Sequence, residues 1–246
     1  VVGKAAEAID ISVILPIYRQ ADQLPGIVAR TQSALRGLPG RGEVILVLNG
    51  SGDHSADVAQ RIAGADASVR VVTSTKGWGA AVIAGLSAAR GTLLCYTNSA
   101  RTQAHDLQLA LRYGSINELA VVKASRKQRH HFVRRLGSVL YNFECRMLFG
   151  LALWDVNGTP KVFHRALLER ITLTERGDLI DLELCVLCKE RGIPVVEMPV
   201  YDNTRISGKA TTNLRSAMRL YTKPLMMRRR IVDRPGVGAR TRDSTA

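Results

Sequence analysis

Acidic residues are scarce in this chain. Its 246 residues hold 21 Asp and Glu against 35 Lys and Arg, a formal net charge of +14. A surplus of that size selects anionic partners, namely phosphates, nucleic acid or an acidic membrane face. Aromatic residues are scarce too, at 5%, too few for the base-stacking platforms of single-strand nucleic-acid binders. No apolar run approaches the roughly 20 residues needed to span a bilayer. The opening "VVGKAAEAID" lacks the apolar core of a signal peptide, so a cytoplasmic location is expected. Four cysteines in a chain this long do not make a disulfide scaffold. Cys185 and Cys188 form a CxxC, but it lies in an apolar helical run with no second pair or nearby His, so core thiols are expected rather than a zinc site. What remains, 46% hydrophobic and 23% charged, is the composition of a globular α/β protein.

The order of segments carries more. "ISVILPIY" (11–18) is a continuous, β-branched run suited to a strand buried on both faces. "EVILVLNGSGD" (43–53), "VRVVTS" (69–74) and "TLLCYT" (92–97) read as further strands. Helical spacing separates them: 21–38, then 54–65 with Asp53 or Ser55 as its cap, then 76–91 opened by glycines and closed by Gly91 as a C′ residue. This alternation predicts a doubly wound, mostly parallel sheet, whose ligands bind beyond the carboxyl ends of the strands. The segments to watch are therefore 16–20, 48–53, 75–79 and 97–102.

Taken in order, those strand ends resemble the nucleotide-sugar domain of family 2 glycosyltransferases, the GT-A fold. The pattern is most similar to the polyprenyl- or dolichyl-phosphate mannosyl- and glucosyltransferases. "LPIYRQADQL" stands for that family's P-x-Y-N-E, "VILVLNGSGDHS" for its V-D-D-G-S-x-D turn, and "TKGWGAAVIAGLSAARG" for its N-x-G-K-G-A-A stretch. "VVKASRK", "RRLGSVLYNF" and "DVNGTPKVFHRALLE" resemble its G-S-R strand, R-R-x-x-S helix and D-x-Q loop. "LIDLELCVLCKERGIPVVEMPV" resembles the F-D-x-E-L helix and following strand, and "RISGKATTNLRSAMRL" the R-x-x-G-K-S-K element. The likeness runs from about residue 10 to 228. It implies a single Rossmann-like GT-A domain over 11–230, with a nucleotide-binding half (11–103) and an acceptor half (104–230). An N-terminal extension (1–10) and a flexible basic tail (231–246) flank it.

The resemblance implies a donor site made by Pro16, Tyr18, Gln20, Asn49, Gly50, Gly77, Trp78, Gly79, Asn98, Ser99 and Ala100. The two glycines at 77 and 79 would let a ligand approach the free N–H groups of a helix N-terminus. Trp78, where the family has Lys, either stacks on a base or sugar or packs on the sheet. The family's metal-binding D-x-D-x-Q set falls on Asn98, Ala100 and Thr102, beside Arg101. Magnesium and manganese sites are built from oxygen ligands that usually include a carboxylate, so no metal and no required cofactor are expected. Arg101, Arg205 and Lys209 would then neutralise a leaving diphosphate by charge-assisted hydrogen bonds. Arg126, Arg134 and Ser138 fall where the family holds an acceptor phosphate. Asp155 is the candidate base should the acceptor be a hydroxyl, and otherwise orders sugar hydroxyls. Asp181 and Glu183 match the F-D-x-E pair, but their i, i+2 spacing cannot put both on one helical face, and Asp181 is the preferred cleft residue.

The expected function is inverting transfer of a sugar from a GDP- or UDP-linked donor to polyprenyl phosphate or another small acceptor, with little or no metal dependence. The apolar helix at 138–154, directly after the basic "RKQRHHFVRR", suits either a core helix or a surface lying on an anionic bilayer. A catalytically silent relative that binds a nucleotide, sugar or partner protein is the second reading, supported by the missing D-x-D. A nucleic-acid binder would explain the charge but not the ordered series of turns.

Overall fold

A computed structural model describes residues 9–50, 52–127, 132–201 and 223–228, without the side chains of 132–135. The expected extension, save residues 9 and 10, and the expected tail lie outside the described residues, as do Arg205 and Lys209. The elements are β1 (Ile11–Ile17), a 3-10 turn (Ala21–Gln23), α1 (Leu24–Arg36), β2 (Gly42–Asn49), α2 (Ser55–Ala65), β3 (Val69–Ser74), α3 (Trp78–Ala88) and β4 (Leu93–Tyr96). They continue with α4 (Ala104–Ile116), β5 (Val121–Arg126), α5 (Phe132–Phe149), β6 (Lys161–His164), α6 (Leu167–Arg170), α7 (Ile180–Glu190) and β7 (Val195–Val200).

The seven strands form one sheet in the order β3-β2-β1-β4-β6-β5-β7. All neighbours are parallel except that β6 runs against both β4 and β5. The expected mostly parallel α/β sheet is thus present, and the antiparallel β6 at its middle is an addition the sequence pattern did not signal. β1 is buried throughout, because the period-2 alternation of a strand sends its residues to two covered faces. Val13, Leu15 and Ile17 join Leu24, Ile27 and Leu111 under α1 and α4. Ile14 joins Ile45, Val82, Leu86, Ile180 and Leu184 under α3 and α7. A third cluster packs Tyr141 and Cys145 of α5 against Leu182, Cys185 and Val186 of α7.

All four cysteines are free and buried. Burial pushes the Cys145 and Cys188 thiols up to about 12, as expected of core thiols rather than ligands. Two expected helix boundaries differ. The N-cap of α2 is His54, with no side-chain cap; Ser55 lies inside the helix and donates to Asp53 Oδ2 (2.8 Å). Helix α3 ends at Ala88, and Gly91 is not a left-handed C′ residue. It sits against the Ser12 backbone nitrogen, which a Cβ would meet at 2.7 Å, so its smallness serves packing on β1. No helix among the described residues is long and apolar enough to cross a membrane.

Candidate active site

The carboxyl ends of β1 to β4 open onto a cavity of about 650 Å³. Nine of the eleven expected donor residues line it: Pro16, Tyr18 and Gln20 after β1, Asn49 at the end of β2, Gly77 and Trp78 at the start of α3, and Asn98, Ser99 and Ala100 after β4. The other two, Gly50 and Gly79, stand behind it. Gly50 has φ +58, and a Cβ there would meet the Lys76 Cβ at 3.2 Å. Two cations that the sequence reading assigned no role also line the cavity, Arg19 and Lys76. Both lie over the Tyr18 ring, at 5.4 and 5.8 Å from its centroid. Arg101 is not among the lining residues.

Two expected roles change with the geometry. Two of the N–H groups that open α3 are already taken: Gly79 donates to Gly177 O (3.0 Å) and Ala80 to Arg176 O (2.8 Å). A Cβ at Gly77 would collide with the Arg176 carbonyl oxygen and one at Gly79 with that of Glu175. These glycines therefore admit the 175–177 backbone, not a phosphate, against the expectation of a free helix N-terminus. Asn49 is likewise occupied on one side, its Oδ1 accepting from Gly77 N (2.7 Å), which fixes the turn that presents Lys76. Glu183 holds the same 174–177 segment through Thr174 N (2.9 Å), Thr174 Oγ1 (2.6 Å) and Glu175 N (2.8 Å).

Asp181 faces elsewhere, as i, i+2 spacing requires. It is buried, and it accepts from Trp78 Nε1 (3.1 Å), Tyr96 Oη (2.9 Å) and the fully buried Lys161 Nζ. Burial, and then the charge of Asp181, raises the Tyr96 phenol far above its usual value, so it stays a donor. Asp181 therefore locks the Trp78 indole at the cavity wall instead of reaching the cleft itself. This answers the open question about Trp78: its N–H is committed to the core while its side chain lines the cavity.

A second cavity, of about 290 Å³, lies beyond β5 and is lined by Ser125, Arg126, Lys127 and Asp155 on one side and by Ser138, Asn142 and Phe143 of α5 on the other. Two of the three expected acceptor residues, Arg126 and Ser138, meet here; the Arg134 side chain is outside the described residues. Arg126 grips Asp155 with both arms, Nε to Oδ2 at 2.6 Å and Nη2 to Oδ1 at 2.7 Å, and its backbone N–H adds a third bond at 3.0 Å. Burial lowers the Arg126 pKa, but the hydrogen bonds and charge of Asp155, with Asp181 behind, outweigh it and leave it raised. A carboxylate so engaged orients its arginine; it is poorly placed to abstract a proton, contrary to the role of base expected for it.

The pair rests on a second one that the sequence did not reveal. Buried Lys123 binds Glu197 Oε1 (2.9 Å) and the Asp155 carbonyl, and Glu197 accepts from the N–H groups of Trp154 (2.8 Å) and Asp155 (3.0 Å). Burial alone would raise the Glu197 pKa; the charge of Lys123 and these donors bring it below the usual carboxylate range.

The altered loop after β4 does not fit a divalent cation. It offers no carboxylate, and its side-chain oxygens are engaged locally: Asn98 Oδ1 accepts from Ala100 N (3.0 Å), Ser99 Oγ donates to Gln20 Oε1 (2.9 Å), and Thr102 Oγ1 contacts Thr97 Oγ1 at 2.5 Å. Among the described residues, the carboxylate lining the donor cavity is Asp178, which pairs with Lys223 at 2.8 Å. Among the described residues no three His, Cys, Asp or Glu gather as a metal set.

Residues 12–172 match the sequence model of the family described as "Glycosyl transferase family 2". The undecaprenyl-phosphate 4-deoxy-4-formamido-L-arabinose transferase of Pseudomonas paraeruginosa is 28% identical over 177 residues, covering 70% of this chain and 52% of that protein. The dodecaprenyl-phosphate galacturonate synthase of Rhizobium johnstonii is 25% identical over 213 residues, 84% of this chain and 60% of the relative. The chain thus spans little more than half the length of these curated relatives. Glucosyl-3-phosphoglycerate synthase from Mycobacterium tuberculosis, solved with Mn2+, UDP-glucose and glycerol 3-phosphate, superposes with a TM-score of 0.68 at 18% identity, over 89% of this chain and 80% of that one. Mannosyl-3-phosphoglycerate synthase from Rubrobacter xylanophilus gives 0.64 at 21%, over 92% and 74%. These structural likenesses establish the GT-A fold, and the sequence match establishes the lineage: the chain belongs to glycosyl transferase family 2.

Proposed function

We propose that the chain is an inverting glycosyltransferase that moves a sugar from a GDP- or UDP-linked donor in the larger cavity to a polyprenyl phosphate held in the smaller one. The observation that carries this reading is the acceptor cavity, where a clamped, permanently charged Arg126 sits beside Lys127, Ser138 and an apolar rim. The rim continues along α5 as an exposed stripe of Leu136, Val139, Leu140, Phe143 and Met147. That spacing is one helical face. It is suited to contact with a lipid acceptor and with the cytoplasmic face of an anionic membrane. The names of the curated relatives, all transferring sugars to polyprenyl phosphates, support the same acceptor.

The mechanism is a single in-line displacement at the anomeric carbon. A phosphate acceptor is already anionic, so the attacking oxygen needs positioning by Arg126 and no general base. The leaving diphosphate needs positive charge, which Arg205 and Lys209 of the R-x-x-G-K element, with Arg101, would supply; since the loop after β4 does not fit a cation, turnover is expected to depend little on divalent metal. The test is incubation with UDP- and GDP-sugars and undecaprenyl phosphate in lipid vesicles, with product read by mass spectrometry and its anomeric configuration by NMR. A lipid-linked sugar of inverted configuration, lost in Arg126→Ala, is the expected result. Nucleotide binding without product would instead identify a catalytically silent member, the reading favoured by the neutral loop at Asn98–Ala100.

A further inference from the structure

Arg19 stands out in the donor cavity on two counts. It is the one residue other than glycine with positive φ (+51) among the described residues, a backbone state that costs energy for a side chain with a Cβ and that persists where function requires it. Its guanidinium shares the Tyr18 ring with the Lys76 ammonium, which reaches the same ring from the turn after β3. Lys76 is in turn set by the last residue of β2 and the one after it: Asn49 holds the next amide, and Gly50 leaves room for the Lys76 Cβ. Neither cation is ion-paired with a carboxylate among the described residues, and Asp178, the acid lining the same cavity, is paired with Lys223.

We infer that Arg19 and Lys76 form a two-cation clamp for the diphosphate of the donor, doing by charge-assisted hydrogen bonding what the self-satisfied loop at Asn98–Thr102 cannot do with a metal. The inference rests on the reading of the larger cavity as the donor site. Tyr18 is the template of the clamp: its ring holds both cations at the cavity wall before a ligand arrives, which lowers the ordering cost of binding. The ligand class is a nucleoside diphosphate or its sugar ester, and the two phosphates, not the base, supply the discrimination.

The experiment is calorimetric titration with UDP, GDP and the matching monophosphates, in excess EDTA and again with Mn2+. At least one diphosphate should bind equally in both conditions and more tightly than its monophosphate. Arg19→Ala and Lys76→Ala should each weaken it by about tenfold or more, the loss of one charge-assisted bond, and erase most of the diphosphate preference, while Lys76→Arg keeps it. Arg19→Gly separates function from structure, because glycine accepts φ +51 without strain: binding should fall as in Arg19→Ala with no loss of Tm. Binding that requires Mn2+, or that survives both alanine substitutions in EDTA, overturns the clamp and leaves the donor cavity standing. Failure of every nucleoside diphosphate to bind in either condition overturns both.

Discussion

Removal of the Asp155 carboxylate should be the most damaging single change at the acceptor cavity. Asp155→Ala deletes three hydrogen bonds to Arg126, of 2.6, 2.7 and 3.0 Å, two of them from the guanidinium. The pair is largely buried, the side chains being 20% and 4% exposed, so water cannot fully take over the lost partner. Breaking one half of a buried pair costs about 3–5 kcal/mol, against about 0–1 for an exposed one. At this chain length each kcal/mol moves Tm by about 2–4 °C, so a fall of about 6–20 °C is expected. Urea unfolding followed by tryptophan fluorescence measures it, with Trp154 next to the lesion. Two companion results sharpen the test. The double substitution Arg126→Met with Asp155→Leu should recover much of the loss, because no charge is left stranded. Inorganic phosphate should stabilise Asp155→Ala more than the parent, since the anion can pair with the released guanidinium. A loss under about 1 kcal/mol in Asp155→Ala would refute the claim that this pair is a desolvated clamp.

Other consequences follow from the same framework. Gly79→Ala should cost about 1–3 kcal/mol, because its methyl group would collide with the Glu175 carbonyl, whereas Gly52→Ala, with nothing within 4 Å, should be neutral or slightly stabilising in the same urea assay. Trp78→Phe keeps a ring at the cavity wall but strips one donor from buried Asp181, which retains Tyr96 and Lys161; a loss of about 1–2 kcal/mol is expected. Glu43 sits under β1 with Ser12 Oγ at 2.6 Å and Arg70 Nη1 at 3.0 Å. Burial raises its pKa, but these hydrogen bonds and the Arg70 charge outweigh it and leave it lowered. Its contribution is therefore complete above the unfolded value of about 4.3 and is lost as pH falls through the lower folded value. Stability should drop on that acid limb, and Glu43→Gln should flatten the drop in denaturation curves taken across pH.

The parts of the fold that were legible in the sequence are those governed by local pattern. The run expected as a strand over 69–74 is one with those limits, the run expected over 11–18 ends one residue sooner at Ile17, and the four strand ends converge on one cavity. Lys123 and Lys161 were not legible. A lysine in a strand reads as a solvent-facing position, yet both are fully buried, because Glu197 and Asp181 arrive from elements 74 and 20 residues away. The glycines at 77 and 79 were misread for a related reason. Close approach of a ligand and close approach of backbone leave the same residue in the sequence, and only the fold shows that residues 175–177 occupy the space. Arg19 was visible as a departure from the family pattern, but its positive φ is a property of the folded turn alone.

The scarcity of acidic residues in the sequence takes on a definite meaning at the site. At and behind the donor cavity, Asp181 is paired with Lys161 and Asp178 with Lys223. Such pairs are neutral as units, so they stiffen the walls without setting the potential of the space between them. Gln20, Asn98, Ser99 and Thr102 add only mutually satisfied dipoles. Among the described residues lining that cavity, the cations paired with no carboxylate are Arg19 and Lys76. Among the described lining residues a divalent cation would meet like charge and no unpaired carboxylate, whereas a diphosphate would meet two cations held near one ring.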